Sequence, residues 1–476
     1  MSLFETSQYL QDKYFAGTKY AGLKLLQSLE GIDTIPQIFS SGFKSYEQLL
    51  ATGFGDWLSE AYVHRNTIMH AYESALLGNN YDLEMMVQAF AFFETHFFLE
   101  RELRLPFKEK IKPYIAEQKE LIDQLFSLVD KNKSYLLRSS ADIEDEETNT
   151  AGLFVTRVMT SGLTKKEHII DELSSFYSQN ILKSVLHNRS AKIAFVLCEY
   201  IPSTAGGIGL SYDMDHYFEI SRSVMDICMY GQNNLNMIQG TADNFAFTSV
   251  GKRVGEVHYT INGVDSYITE QQLTALFADS SQLEKMIGRV NTEYLFKHGN
   301  IHPTFLQVRK FNPKVGVQLI SNQEYDAAQY KTQVALKPGA VQVPIFALPY
   351  AIDLVGEFHL INVQKTIENL QQIDQQNPYG YALVDGLDMC TIDFPIQLGD
   401  KYFVGEKIID AVRRLCSNVK VFINNSEISS KGNHGQLNMA SDDSNQFYLS
   451  IPHFKIDDGS IAEIRSDGWR GIVNLK

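Results

Sequence analysis

Three cationic side chains in this sequence stand where they could hold phosphate. Leu137-Arg138-Ser139-Ser140-Ala141 closes an apolar run that reads as a strand, and Glu144-Asp145 and Ala151-Gly152 follow it. A strand end gives Arg138 a fixed position, while Ser139, Ser140 and Gly152 leave backbone amides and room for phosphate oxygens. Lys19 lies in Gly17-Thr18-Lys19-Tyr20-Ala21-Gly22-Leu23, ahead of a helical run and Ile35-Pro36. Its ammonium is a compact charge on a flexible stem, suited to attract a phosphate oxygen. The third cation, Arg309, ends Phe305-Leu306-Gln307-Val308-Arg309, which pairs with Glu293-Tyr294-Leu295-Phe296-Lys297 around a turn at Gly299 to Ile301. Alternation puts Gln307 and Arg309 on one face and Leu306 and Val308 on the other, and this register sets Glu293 opposite Gln307. Two oxygen ligands side by side on rigid strands can hold magnesium, which takes its remaining ligands from water and phosphates. Taken singly, each segment also suits a plainer role: a turn with a surface arginine, a solvated lysine at a helix start, or an ordinary amphipathic hairpin.

Positioning such residues takes a substantial fold. The 476 residues exceed what one core accommodates, and two or three domains are expected. Between Asp82 and Glu100 the residues Met86, Phe90, Phe93 and Phe97 recur at helical spacing, and His96 in that run suits packing. A second helix is predicted to begin at Pro113 and carry Ile115, Ile122, Phe126 and Val129 toward a break at 130–133. Strands are predicted at Tyr135 to Arg138, Lys192 to Ile201, Gly206 to Tyr212 and Tyr217 to Ile220, and a helical stretch at 282–290 leads into the hairpin. Mixed α/β (α+β) architecture follows. Residues 312–339 read as a domain connection, which puts a boundary near 320. The domains expected are 1–320, with a helical insertion at about 60–130, and 321–476.

A formal net charge of −15 argues against a partner as negative as nucleic acid or an anionic membrane surface. No apolar run is long enough to span a bilayer, and Met1 to Tyr14 lacks the apolar centre of a signal peptide. Cys198, Cys228, Cys390 and Cys416 are scattered, without zinc or disulfide spacing, so a reducing cytoplasm is the default expectation.

The Arg138 segment resembles the R-S-S-A-x-x-E-D stretch in the nucleotide-binding domain of the phosphoenolpyruvate synthase and pyruvate phosphate dikinase family, which includes rifampin phosphotransferase and glutamine kinase. The Lys19 segment is similar to that family's G-x-K-x-x-x-L opening, and Glu293 with Gln307-Val308-Arg309 is similar to its paired strands ending in Q-x-R. The resemblance spans Lys19 to Arg309. It implies an ATP-grasp domain in which Lys19, Arg138, Gly152 and Arg309 hold ATP phosphates while Glu293 and Gln307 bind Mg2+. It also implies adenine contacts at the strand end Glu199, Tyr200 and Ile201. The family's Gly-rich stretch is represented by Gly231-Gln232-Asn233-Asn234 and Met237-Ile238-Gln239-Gly240, with an amide in place of an acid.

Ile428-Ser429-Ser430-Lys431-Gly432-Asn433-His434-Gly435 looks like a divergent form of the family's phosphohistidine segment. The C-terminal third is therefore expected to be a smaller swivelling domain in which His434 takes phosphate from ATP as a nucleophile. The resemblance implies an ATP-dependent phosphotransferase of the dikinase type, with Lys19, Arg138 and His434 as its catalytic residues, leaving AMP and phosphate. Residues 321–476 are expected to be too few to hold a phosphoenolpyruvate-binding barrel. A small-molecule acceptor is expected in the cleft between domains, in 343–414, or on a separate protein. Two alternatives stay open: direct use of ATP without a phosphohistidine, and a nucleotide-binding partner subunit without turnover.

Overall fold

The computed structural model describes residues 3–76, 82–96, 105–143, 154–186, 190–223, 235–250, 259–310, 320–332, 334–349, 352–355, 358–361, 363–385, 393–398, 401–407, 412–413, 415–425, 445–452 and 454–476. They form a mixed arrangement of helices and several sheets. The N-terminal helices α1 (Ser7–Ala16) and α2 (Thr18–Gln27) lead to strand β1 (Gln37–Ser40). Then come α3 (Lys44–Leu50), α4 (Gly53–Leu76), α5 (Leu83–His96), α6 (Leu105–Ala116) and α7 (Lys119–Leu128). Strands β2 (Tyr135–Ala141) and β3 (Arg157–Met159), helix α8 (Lys166–Leu186) and strand β4 (Ile193–Glu199) complete a four-stranded antiparallel sheet of order β1-β4-β2-β3.

One face of this sheet is covered by helices. Leu137, Ala141, Ile193, Phe195 and Leu197 pack into a large apolar cluster with Phe54, Phe93, Phe107, Ile111 and Phe176 from α4, α5, α6 and α8. Period-2 alternation sends the intervening residues the other way. Leu136, Val196 and Cys198 join a separate small cluster with Leu23 of α2 and with Leu295 and Leu306. Those last two belong to a second sheet.

That sheet is antiparallel and six-stranded. Strands β5 (Ser203–Tyr212), β6 (Asp215–Ser221), β7 (Leu235–Thr241) and β8 (Asn244–Val250) form a meander, the short pair β9 (Tyr259–Ile261) and β10 (Val264–Ser266) follows, and β11 (Val290–Lys297) and β12 (Thr304–Lys310) close the other side in the order β12-β11-β5-β6-β7-β8. Helix Glu270–Ile287 runs into β11, opened by a Thr269–Gln272 capping box and ended by Gly288.

Beyond residue 329 the chain builds an eight-stranded mixed sheet. Its middle is parallel: Pro338–Ala347, Tyr381–Asp385, Val419–Asn424 and Phe447–Ser450 lie side by side, with helix Val363–Gln376 between the first two in sequence. Trp469 of this part packs on Leu210, Tyr217, Leu235 and Met237 of the six-stranded sheet, edge-on to Tyr217 at 6.1 Å.

Several local expectations change. Pro113 sits inside α6, near its end, and a break at 117–118 separates α6 from α7. The strand expected at Tyr135 to Arg138 continues through Ser139, Ser140 and Ala141, which pair with Phe195, Ala194 and Ile193. The helix before the hairpin starts at Glu270, well upstream of 282. Within the segment read as a domain connection lie helix Asn322–Ala327 and the short strands Tyr330–Thr332 and Ala335–Leu336. Among the described residues no helix is long and apolar enough to cross a membrane.

Candidate functional site

The two sheets meet at Arg138. Leu137 points to the helices, so Arg138, its neighbour in β2, faces β11 and β12. Its guanidinium is spread over three acceptors. Nη1 donates to the Leu306 carbonyl at 2.6 Å, and Nη2 donates to Glu293 Oε2 at 2.9 Å and to Gln307 Oε1 at 2.9 Å. The Arg138 and Glu293 side chains are 8% and 10% exposed, so this ion pair is largely out of water. Such a pair offsets its own desolvation only when its hydrogen bonds are also made, as they are here.

The hairpin is shaped to supply these acceptors. Glu293 pairs directly with Gln307, the register predicted from alternation, and the next pair is Tyr294 with Phe305. The ladder therefore skips Leu306. A β-bulge leaves the extra residue's backbone outside the regular pattern, and Arg138 takes the Leu306 carbonyl that the bulge turns out. On the outer side, Phe305 exchanges backbone hydrogen bonds with Asp33 and Ile35, which anchors this edge to the segment after α2.

Helix α2 is wedged beside both sheets, and two glycines of its motif make that possible. Gly17 has φ of 84°, and a Cβ there would stand 2.7 Å from Ser140 Oγ and from the Ala141 carbonyl oxygen. Gly22 lies so close to β12 that a Cβ would come within 2.3 Å of the Val308 carbonyl oxygen. Glycine removes both clashes. The start of α2 is thereby pressed against β2: Tyr20 N–H donates to Ser140 Oγ at 3.3 Å and Lys19 Nζ donates to Ser139 Oγ at 3.3 Å. Lys19 and Arg138 thus hang from a helix start and a strand that touch, with Ser139, which holds Lys19 Nζ, alternating onto the Leu137 face of β2 and Arg138 onto the other.

Gln307 is 1% exposed, and its Nε2 has no hydrogen-bond partner while its Oε1 is held by Arg138. Arg309, two residues on, is half-buried on the same strand, opposite Asn291. Cys198 lies in the small cluster between the sheets, where burial pushes its thiol up to about 11. It therefore stays a protonated apolar group at neutral pH.

The sequence-predicted residues divide into groups. Arg138, Glu293 and Gln307 are brought together, Arg309 shares a strand with Gln307, and Lys19 reaches Ser139, the residue after Arg138, which alternates onto the other face of β2. Ile201 packs against the cluster of Leu295 and Leu306. Glu199 and Tyr200 lie farther along β4: Glu199 pairs with Tyr135, three residue pairs from the Arg138–Val196 pair, or about 10 Å along the strand. Glu199 forms an ion pair with Lys133 at 2.9 Å, and Tyr200 is 45% exposed with its N–H given to the Ser134 carbonyl at 2.9 Å. Gly152 and His434 lie outside the described residues, as do Glu144, Asp145 and Gly231 to Asn234. Sequence reasoning misses the Leu306 carbonyl and the Ser139 hydroxyl. A seryl contact to Lys19 could be suspected from R-S-S-A, but nothing in side-chain type announces a bulge at a leucine.

A divalent cation fits this donor set. Glu293 Oε2 and Gln307 Oε1 already face one positive centre, and hard cations of the magnesium type take carboxylate and amide oxygens. Among the described residues no three His, Cys, Asp or Glu side chains converge as a metal site, so a cation on these two oxygens would take most of its shell from outside the protein. No family model matches the chain, and no curated protein matches it.

Proposed function

We propose that this chain is an ATP-dependent phosphotransferase whose nucleotide lies in an ATP-grasp arrangement at the seam between the four- and six-stranded sheets. The observation that carries this reading is the convergence of Arg138, Glu293 and Gln307, which are drawn from β2, β11 and β12 and lie up to 169 positions apart in sequence, with Lys19 of α2 held at Ser139, the next residue of β2. A fold stabilised for its own sake has little reason to bury a carboxylate, a guanidinium and an amide at one point, because burying polar groups costs free energy that apolar residues of similar volume would not. A triphosphate gives that cost a use.

Lys19 and the start of α2 would hold terminal phosphate oxygens, and Arg138 and Arg309 would neutralise charge that develops during transfer. Glu293 and Gln307 would hold magnesium, whose charge, when bound, would lower the repulsion between phosphate oxygens and a nucleophile. Ile201 and the apolar cluster around it would flank the base, with the exposed end of β4 at Tyr200 marking the rim. In the dikinase reading, His434 attacks the β-phosphorus of ATP and AMP leaves, water then splits the pyrophosphoryl group to release inorganic phosphate, and the phosphohistidine that remains passes its phosphoryl group to a small acceptor. The parallel strands and helix of the C-terminal part are compatible with such a carrier.

Incubating the protein with magnesium-ATP and candidate acceptors, then resolving AMP, ADP and ATP by ion exchange, tests this. AMP formed by wild type and abolished by His434→Ala is the expected result. ADP, or AMP unaffected by that substitution, would discard the phosphohistidine and keep an ATP-using enzyme. Tight binding without product would point to a nucleotide-binding subunit.

A further inference from the structure

One nitrogen, Arg138 Nη2, sits where Glu293 Oε2 and Gln307 Oε1 converge, 2.9 Å from each. Both oxygens come from directly paired positions of a hairpin, so the backbone ladder sets their separation. Gln307 keeps its Oε1 on this point although its Nε2 is left buried without a partner. An unmade hydrogen bond of that kind is costly, and the orientation is favourable only if an amide oxygen facing a cation is worth more. The pair therefore has the character of a two-oxygen cation site, and its cation here is an arginine.

Building on the nucleotide reading, we infer that Arg138 is a resident cation in a divalent-metal position, so that metal enters only when phosphate draws the guanidinium away. Two positive centres cannot share the same two oxygens at contact distance. With Arg138 in place, Glu293 is neutralised and a metal gains little. With a triphosphate present, Arg138 has phosphate oxygens to turn to, and Glu293 and Gln307 are released to the metal that the same triphosphate carries. Metal and nucleotide consequently bind as one unit. Metal alone binds weakly, because the competent form of the site is a minor fraction and apparent affinity falls by that fraction. Arg138 acts here as a positioning residue that keeps the pair of oxygens aligned and dry.

The test uses Mn2+ as the probe, since its electron paramagnetic resonance signal is lost on binding and reports affinity without turnover. In the absence of nucleotide, Arg138→Met is expected to bind Mn2+ at least about tenfold more tightly than wild type, and Arg138→Met combined with Glu293→Gln is expected to return to weak binding. Wild type binding Mn2+ as tightly as Arg138→Met would overturn the inference. If Arg138→Met does not fold, Glu293→Gln decides. It frees Arg138 from its carboxylate, so metal-free ATP should bind at least about tenfold more tightly than to wild type, with no further gain from Mg2+. Equal metal-free affinity in the two proteins would also overturn it. A gain in Mn2+ affinity in Arg138→Met without ATP binding in any form would sink the nucleotide reading while leaving the exchange of arginine and metal intact.

Discussion

Replacing Arg138 by methionine removes a buried charge while keeping most of the side-chain volume, and its cost can be worked from the contacts. Three acceptors lose their donor: the Leu306 carbonyl, Gln307 Oε1 and Glu293 Oε2. The carboxylate suffers most. Glu293 is 10% exposed, so it cannot recover its hydration, and breaking a buried pair from one side costs about 3–5 kcal/mol. Glu293→Gln strands the guanidinium instead, and its cost should be of similar size. The double variant leaves neither charge behind, and exchanging both partners of a buried pair is close to neutral. Urea denaturation of the two single variants and the double variant closes a thermodynamic cycle. With each single variant costing about 3–5 kcal/mol and the double variant close to neutral, the coupling energy is expected at about 6–10 kcal/mol, with the double variant more stable than either single. Additive losses, or a loss below about 1 kcal/mol for Arg138→Met, would refute the picture of a dry and mutually dependent pair.

Gly22→Ala should destabilise the protein by about 1–3 kcal/mol, because the added methyl meets the Val308 carbonyl and pushes α2 off β12; chemical denaturation measures this, and an unchanged midpoint would contradict the close approach. Lys19→Met should weaken ATP binding by about tenfold or more, with little change in denaturation midpoint, since Lys19 is half-buried and its bond to Ser139 is long at 3.3 Å. His216 lies buried between Ser211 and Ser281, and burial lowers its imidazole to about 4. A base whose folded value lies below its unfolded one opposes folding under acid, so stability should be intact above about pH 6.5 and fall by about 3 kcal/mol as pH drops toward 4. Thermal denaturation between pH 7 and 4 measures the fall, and His216→Gln should flatten it; an unchanged slope in that variant would assign the loss to other groups.

Much of this site is legible in the sequence because it obeys short periods. Alternation along 293–297 and 305–309 places Glu293 across from Gln307, but it also puts Leu306 and Val308 on one face, whereas the bulge sends Leu306 to the cluster between the sheets and Val308 to the core on the other side. The glycines around Lys19 hint at close packing, although their partners, Ser140 and Val308, cannot be read from spacing. Other features depend on contacts between distant segments. Pro113 suits a helix start because its missing N–H is tolerated in a first turn, yet it is accommodated inside α6 with the helix ending just beyond it. Ser139 and Ser140 favour a loop, and their pairing with β4 overrides that local preference. The bulge at Leu306 depends on how β12 meets both β11 and the 33–35 segment, a tertiary matter. The convergence of Arg138 with a hairpin 155 and 169 residues away lies beyond any periodicity, and only the resemblance of the motifs points to it.

The claim that a nucleotide triphosphate lies at the seam of the two sheets is tested most directly by calorimetric titration of magnesium-ATP into wild type and into the Arg138→Met, Glu293→Gln double variant, whose fold is expected to survive. Wild type should bind with a dissociation constant in the micromolar range and the double variant at least about a hundredfold more weakly, a difference of about 2.7 kcal/mol. Equal affinities in the two proteins, or no heat of binding from wild type, would contradict it.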